Sequence, residues 1–75
     1  MATRKYTIVI DPWPDKKGFT ITVPSLPGCI TQAHTLAEAR KRAKEAIQCH
    51  IEGLMADSLP VPEERDKPAL ITIAV

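Results

Sequence analysis

The sequence predicts an α+β fold of order βββαβ: a three-stranded antiparallel meander, one helix on one of its faces, and a final strand that joins the sheet. Three observations carry this reading. Residues 19–23 alternate, with Phe19, Ile21 and Val23 on one side and Thr20 and Thr22 on the other, the period-2 pattern of a half-buried strand. Residues 36–54 instead repeat apolar groups at three- and four-residue steps, the pattern of an amphipathic helix. A proline-rich corner between them stops the strand and turns the chain back.

In chain order, residues 5–11 form the first strand, with Tyr6, Ile8 and Ile10 on one face and Thr7 and Val9 on the other. Residues 11–18 are rich in turn formers and read as a long hairpin loop stiffened by Pro12 and Pro14. The second strand, 19–23, ends at Pro24, which has no amide hydrogen for a ladder. Pro27-Gly28 is a turn pair: proline presets φ at the first central position and glycine supplies a positive φ at the second. Leu26, apolar inside this corner, is expected to fold onto the core. Residues 29–32 give a short third strand.

Thr35-Leu36-Ala37-Glu38 fits a capping box, in which the threonine hydroxyl accepts from the Glu38 amide. The helix it opens carries a stripe of Leu36, Ala39, Ala43, Ala46, Ile47, His50, Ile51 and Leu54, and should fade near 56–58. Its small alanines permit close approach to the sheet. Glu38/Arg42 and Lys41/Glu45 sit at i,i+4 on the wet side, worth a few tenths of a kcal/mol each. Residues 59–68 hold three prolines and a run of charges and read as an irregular connector. Residues 69–75 alternate again, with Ile71, Ile73 and Val75 on one face, as the expected final strand.

At 75 residues the chain is expected to be one small domain, 1–75, with a thin core and therefore a tendency to self-associate as a dimer or tetramer. A net charge of +1 argues against a strong nucleic-acid or membrane binder. The longest apolar runs fall far short of the roughly 20 residues of a membrane span, and the N-terminus lacks a signal-peptide core, so the expected location is cytoplasmic. Cys29 and Cys49 are too few for a disulfide scaffold and lack metal-site spacing. No cofactor and no metal is expected.

Gly18-Phe19, the corner from Val23-Pro24 through Leu26-Pro27-Gly28-Cys29, Thr31-Gln32, and the helix start from Thr35 through Glu38-Ala39 with Ala43, Glu45 and Ala46 resemble the N-terminal domain of the HicB antitoxin family. The resemblance covers residues 5 to about 54. It implies a partial ribonuclease-H-like fold. It also implies the antitoxin of a bacterial toxin–antitoxin pair, whose partner is a small RNA-cleaving toxin of the HicA type. The signature positions here are Gly18, Pro24, Leu26, Pro27, Gly28, Thr35 and Glu38. The sequence departs from the family pattern at Ala33, where glycine is usual, and in a longer first hairpin carrying Trp13. It also ends after the last strand, so the DNA-binding segment that many members carry, and with it operator binding, is not expected.

The chemistry points away from an enzyme. Two-metal nuclease chemistry needs converging carboxylates. The strands offer only Asp11, while Asp15 lies in the loop and Glu38 acts as a cap. Cys49 and His50 are adjacent on a helix, pointing about 100° apart, which does not suit a nucleophile and its base. No catalytic residue is assigned. Arg40, Lys41, Arg42 and Lys44 form a basic cluster that reads as a solvated face, with a phosphate or acidic-partner contact as the alternative. Trp13 either folds back on the sheet edge or anchors an interface, since tryptophan is favoured at binding hot spots. The expected partner and self-association surfaces are Trp13 at the loop tip, Thr20 and Thr22 on the face left by the helix, and Ile71, Ile73 and Val75 on the last strand. The leading function is thus a HicB-like antitoxin. The alternatives are an orphan oligomeric module without a toxin and a degenerate nuclease or RNA-binding protein.

Overall fold

In the computed structural model, which describes residues 4–64 and 68–75, three short strands and one helix form an α+β unit in the order β1 (Val9–Pro12), β2 (Phe19–Thr22), β3 (Ile30–Ala33), α1 (Leu36–Ala56). The strands form one antiparallel sheet of order β1-β2-β3. The register pairs Ile10 with Ile21 and Ile21 with Thr31, and sets Phe19 between Pro12 and Ala33. Residues directly opposite share a face. One face therefore carries Ile10, Phe19, Ile21 and Ala33, and the other Val9, Asp11, Thr20, Thr22, Ile30 and Gln32. The first strand is shorter than its alternation suggested, because Tyr6–Ile8 lie before the ladder, although both apolar side chains still pack on the core.

The corner after β2 is two fused β-turns. The Leu26 amide donates to the Val23 carbonyl, and the Cys29 amide donates to the Leu26 carbonyl. Pro24 and Pro27 each occupy the first central position of one turn. Gly28, at φ 86°, takes the left-handed second position of the other, where any side chain would be strained. Val23 then donates to Cys29 across the neck. The result drives Leu26 fully inside, where it meets Val23 and Cys29, with Tyr6, Ile8, Ala46, Ile47 and Ile51 around them.

The Thr35 hydroxyl accepts from the Glu38 amide at 3.0 Å, the expected N-cap, worth about 1 kcal/mol. Ala39 and Ala43 press against Ile21 and Ala33. Leu36 departs from the predicted stripe: it is 62% exposed. Arg42 pairs with Glu38 at 3.3 Å as expected, and with Glu45 at 3.8 Å in place of the expected Lys41 partner. The helix ends in a Schellman arrangement, with Ser58 donating to Met55 and Leu59 to Leu54. Ser58 holds the left-handed position (φ 56°) that glycine usually takes, so the sequence carries no glycine stop signal here.

The connector returns to the sheet and is tied down. The Tyr6 hydroxyl donates to the Pro62 carbonyl, the Thr7 amide donates to the Glu64 carboxylate, and the Ser25 hydroxyl donates to the same carboxylate at 2.6 Å. Its charged residues at 65–67 lie outside the described residues. The expected final strand is a correction. Residues 69–75 belong to none of the described strands, with Leu70, Ile71 and Ile73 each at least 75% exposed and Val75 fully so. Alternation supplies strand propensity, but a strand exists only where a neighbour completes its ladder, and the described sheet ends at β1 and β3.

Cys29 is buried and Cys49 exposed. Burial, and next the nearby Cys49, push the Cys29 thiol above its ordinary pKa. The thiol contribution to stability is full below the unfolded value of about 8.5 and is lost as pH rises through the folded value. The urea midpoint is thus expected to fall on going above that pH, and Cys29→Ala should flatten the decline. An unchanged slope in Cys29→Ala would assign it to other groups.

Candidate partner-binding surface

Because α1 covers one side of the sheet, the side bearing Val9, Asp11, Thr20, Thr22, Ile30 and Gln32 is left open. It is β-branched and polar, with Ile30 61% exposed. Trp13 folds back from the hairpin onto this side. Its indole Nε1–H donates to Thr20 Oγ1 at 2.9 Å. The loop is closed by the Trp13 amide donating to the Gly18 carbonyl, and its tip is held by the Lys17 amide donating to Asp15. The indole ring lies directly over Gly18: a Cβ there would sit 2.6–2.9 Å from three ring carbons. Glycine is required at 18 for space.

His34 completes the cluster. Its ring meets the indole edge-on, with centroids 6.0 Å apart and planes at 86°. Its Nδ1 lies 3.2 Å from the Lys17 carbonyl oxygen, which accepts from the Nδ1–H tautomer. Beside this pair, Trp13, Gln32, His34, Glu38 and Arg42 line a polar groove of about 480 Å³ at the start of α1. The surface thus offers an aromatic anchor, hydroxyls, an imidazole and a carboxylate–guanidinium pair within one span of sheet.

Of the residues expected at an interface, the structure brings Trp13, Thr20 and Thr22 onto this side. It leaves Ile71, Ile73 and Val75 exposed and outside the described strands. The signature residues serve the scaffold: Gly18 under the indole, Pro24 through Gly28 in the double turn, and Thr35 and Glu38 at the cap. Sequence reasoning missed His34, placing it only in a loop. Its alternation with Gln32 was the available signal. Among the described residues, no group of three or more His, Cys, Asp or Glu is arranged to hold a metal. None of the described helices is long and apolar enough to cross a membrane.

Residues 6–71 match the profile of the HicB-like antitoxin of bacterial toxin–antitoxin systems. The chain belongs to the HicB-like antitoxin family. A relative from Thermoplasma acidophilum, a UPF0150 protein, is 41% identical over 70 residues, covering 92% of this chain and 96% of its own length. A 14.9 kDa protein of Haemophilus phage HP1, uncharacterised, is 46% identical over 46 residues; the match takes in 61% of this chain but only 35% of the phage protein. Among solved structures, a chain of the HicA3 and HicB3 toxin-antitoxin complex superposes with a TM-score of 0.71 at 35% identity, covering 81% of this HicB-like chain and 70% of that one. The fold described above is therefore shared with a toxin–antitoxin component.

Proposed function

We propose that this HicB-like chain acts in the cytoplasm as an antitoxin that binds a small HicA-like RNA-cleaving toxin through the open side of its sheet. The observation that carries the reading is Trp13, held by Thr20 and Gly18 with its ring displayed at the rim of that side. An aromatic side chain already ordered in the free protein loses little entropy on binding, which is the property of an interface anchor. Family membership and the likeness to a chain of a toxin–antitoxin complex support the antitoxin role. Neutralisation would proceed by occlusion: the bound chain covers toxin surface and needs no chemistry of its own. The Asp15 carboxylate accepts from the Lys17 amide and the Glu38 carboxylate pairs with Arg42.

The test is co-expression with a small HicA-like toxin from the same genome, followed by co-purification and titration. A stable complex at micromolar concentration is expected. Thr22→Arg, which places a charge in the middle of the open side without touching the core, should weaken it by about 30-fold or more. Absence of any complex would overturn the antitoxin reading. A complex indifferent to both Thr22→Arg and Trp13→Ala would move the interface elsewhere on the molecule.

A further inference from the structure

The polar groove at the start of α1 has a chemistry of its own. It is lined by Trp13 from the hairpin, Gln32 from β3, and His34, Glu38 and Arg42 where the chain enters the helix, around about 480 Å³. That volume is in the range of sites that enclose a small ligand or a long side chain. Through Trp13, whose indole donates to Thr20, the groove is continuous with the open side of the sheet, so one partner can reach both.

Three of these groups accept rather than donate. The Nδ1 of His34 lies 3.2 Å from the Lys17 carbonyl oxygen. A carbonyl only accepts, so in the neutral ring Nδ1 carries the proton and Nε2 keeps its lone pair. No described residue donates to that Nε2. Glu38 gives one carboxylate oxygen, Oε1, to the Arg42 Nε–H at 3.3 Å, and its Oε2 receives nothing among the described residues. Trp13 adds an indole, the side chain whose ring attracts cations most strongly. Arg42 does not cancel this character. Glu45 also approaches it, at 3.8 Å, so two carboxylates face one guanidinium and the cluster keeps a net negative charge.

We infer that this groove seats an arginine side chain of the bound toxin. The inference rests on the antitoxin reading and names the chemistry by which the partner is recognised. A guanidinium is planar, permanently charged and carries five N–H donors, so it can donate to His34 Nε2 and to Glu38 Oε2 while lying against the indole. An ammonium is a compact, strongly hydrated point charge and serves two separate acceptors and an aromatic wall less well. A carboxylate would meet acceptors of its own kind, with Arg42 already engaged by two acidic side chains. A protein that cleaves RNA has to hold phosphates, and the cations that do so supply the matching group.

Trp13 is the only tryptophan, so its indole Nε1–H resonance reports on the groove directly. In a proton–nitrogen NMR titration of the free chain, N-acetyl-argininamide should shift that resonance saturably, with a Kd of about 1–10 mM, as befits a single side chain. The uncharged citrulline analogue should bind at least about fivefold more weakly. In the toxin complex, Glu38→Gln should weaken binding by about 10-fold. Glutamine suits the same capping position, so far-UV circular dichroism should show α1 unchanged. Arg42→Gln removes the competing cation and should tighten the complex by up to about fivefold. Glu52→Gln removes the same charge about 20 Å farther along α1 and should change the affinity by less than about twofold, which controls for general attraction. An indole resonance that argininamide leaves unmoved overturns the inference, as does equal binding of the citrulline analogue. Tightening by Glu38→Gln with weakening by Arg42→Gln also overturns it, because the groove then seats a carboxylate. A complex indifferent to Glu38→Gln overturns the arginine seat and leaves the antitoxin reading standing. Should no complex form, the antitoxin reading fails by itself, and the argininamide titration alone decides the groove.

Discussion

Leu26→Ala is expected to lower the free energy of unfolding by about 2–5 kcal/mol, a large fraction of what a domain of this size holds. The reason lies in the corner. Leu26 is fully buried although it sits in a turn, because two fused β-turns aim it inward between Val23 and Cys29. Around it stand Ile8 from the first segment and Ala46, Ile47 and Ile51 from α1, so one side chain joins the sheet, the corner and the middle of the helix. The turns themselves are held by backbone hydrogen bonds and proline, and cannot collapse into the space an alanine would leave. The cavity should thus persist and the loss should lie in the upper part of that range. Urea unfolding followed by far-UV circular dichroism measures it. A loss below about 1 kcal/mol would mean that the corner repacks and is not a rigid support.

Gly18→Ala is expected to cost about 1–3 kcal/mol, and the cost should vanish when Trp13 is also replaced by alanine. A methyl group at 18 would stand 2.6 Å from the nearest indole carbon, well inside contact distance. The ring must lift, which breaks the hydrogen bond from Nε1 to Thr20 and removes the edge-on contact with His34. With Trp13→Ala the space is free, and the alanine at 18 becomes neutral or mildly stabilising, by up to about 1 kcal/mol, because the unfolded chain loses freedom. A double-mutant cycle by urea unfolding should return a coupling above about 1 kcal/mol; additive losses would place the strain in the backbone instead. The same pair bears on function. If the indole anchors the toxin, Gly18→Ala should weaken binding while leaving α1 and the corner intact.

Much of the scaffold was legible from residues 19–38 because their signals are local. The alternation of 19–23 sets which side chains share a face. The Pro27-Gly28 pair can close only a turn with a positive φ at glycine, and Thr35 with Glu38 caps the helix within one turn of chain. The positions that carried the family resemblance are these same ones, and they shape the scaffold more than any interface. The open side of the sheet was legible in outline, since one helix covers one face. His34 was not, because its place depends on Trp13 folding back across 21 residues of chain, a contact no local pattern encodes.

The residues taken alone determined three strands, a corner with a turn at Pro27-Gly28, a capped helix, and strand propensity in residues 69–75. Each follows from sterics and hydrogen bonding between neighbours in the chain. Tertiary structure decided the rest. It laid the indole over Gly18, tied Glu64 to Thr7 and Ser25, and left residues 69–75 outside the sheet they were expected to join. These outcomes rest on contacts between segments up to 57 residues apart, as between Thr7 and Glu64, and on whether a ladder partner is present at all. Propensity states what a segment can become, and only a neighbouring edge makes it a strand.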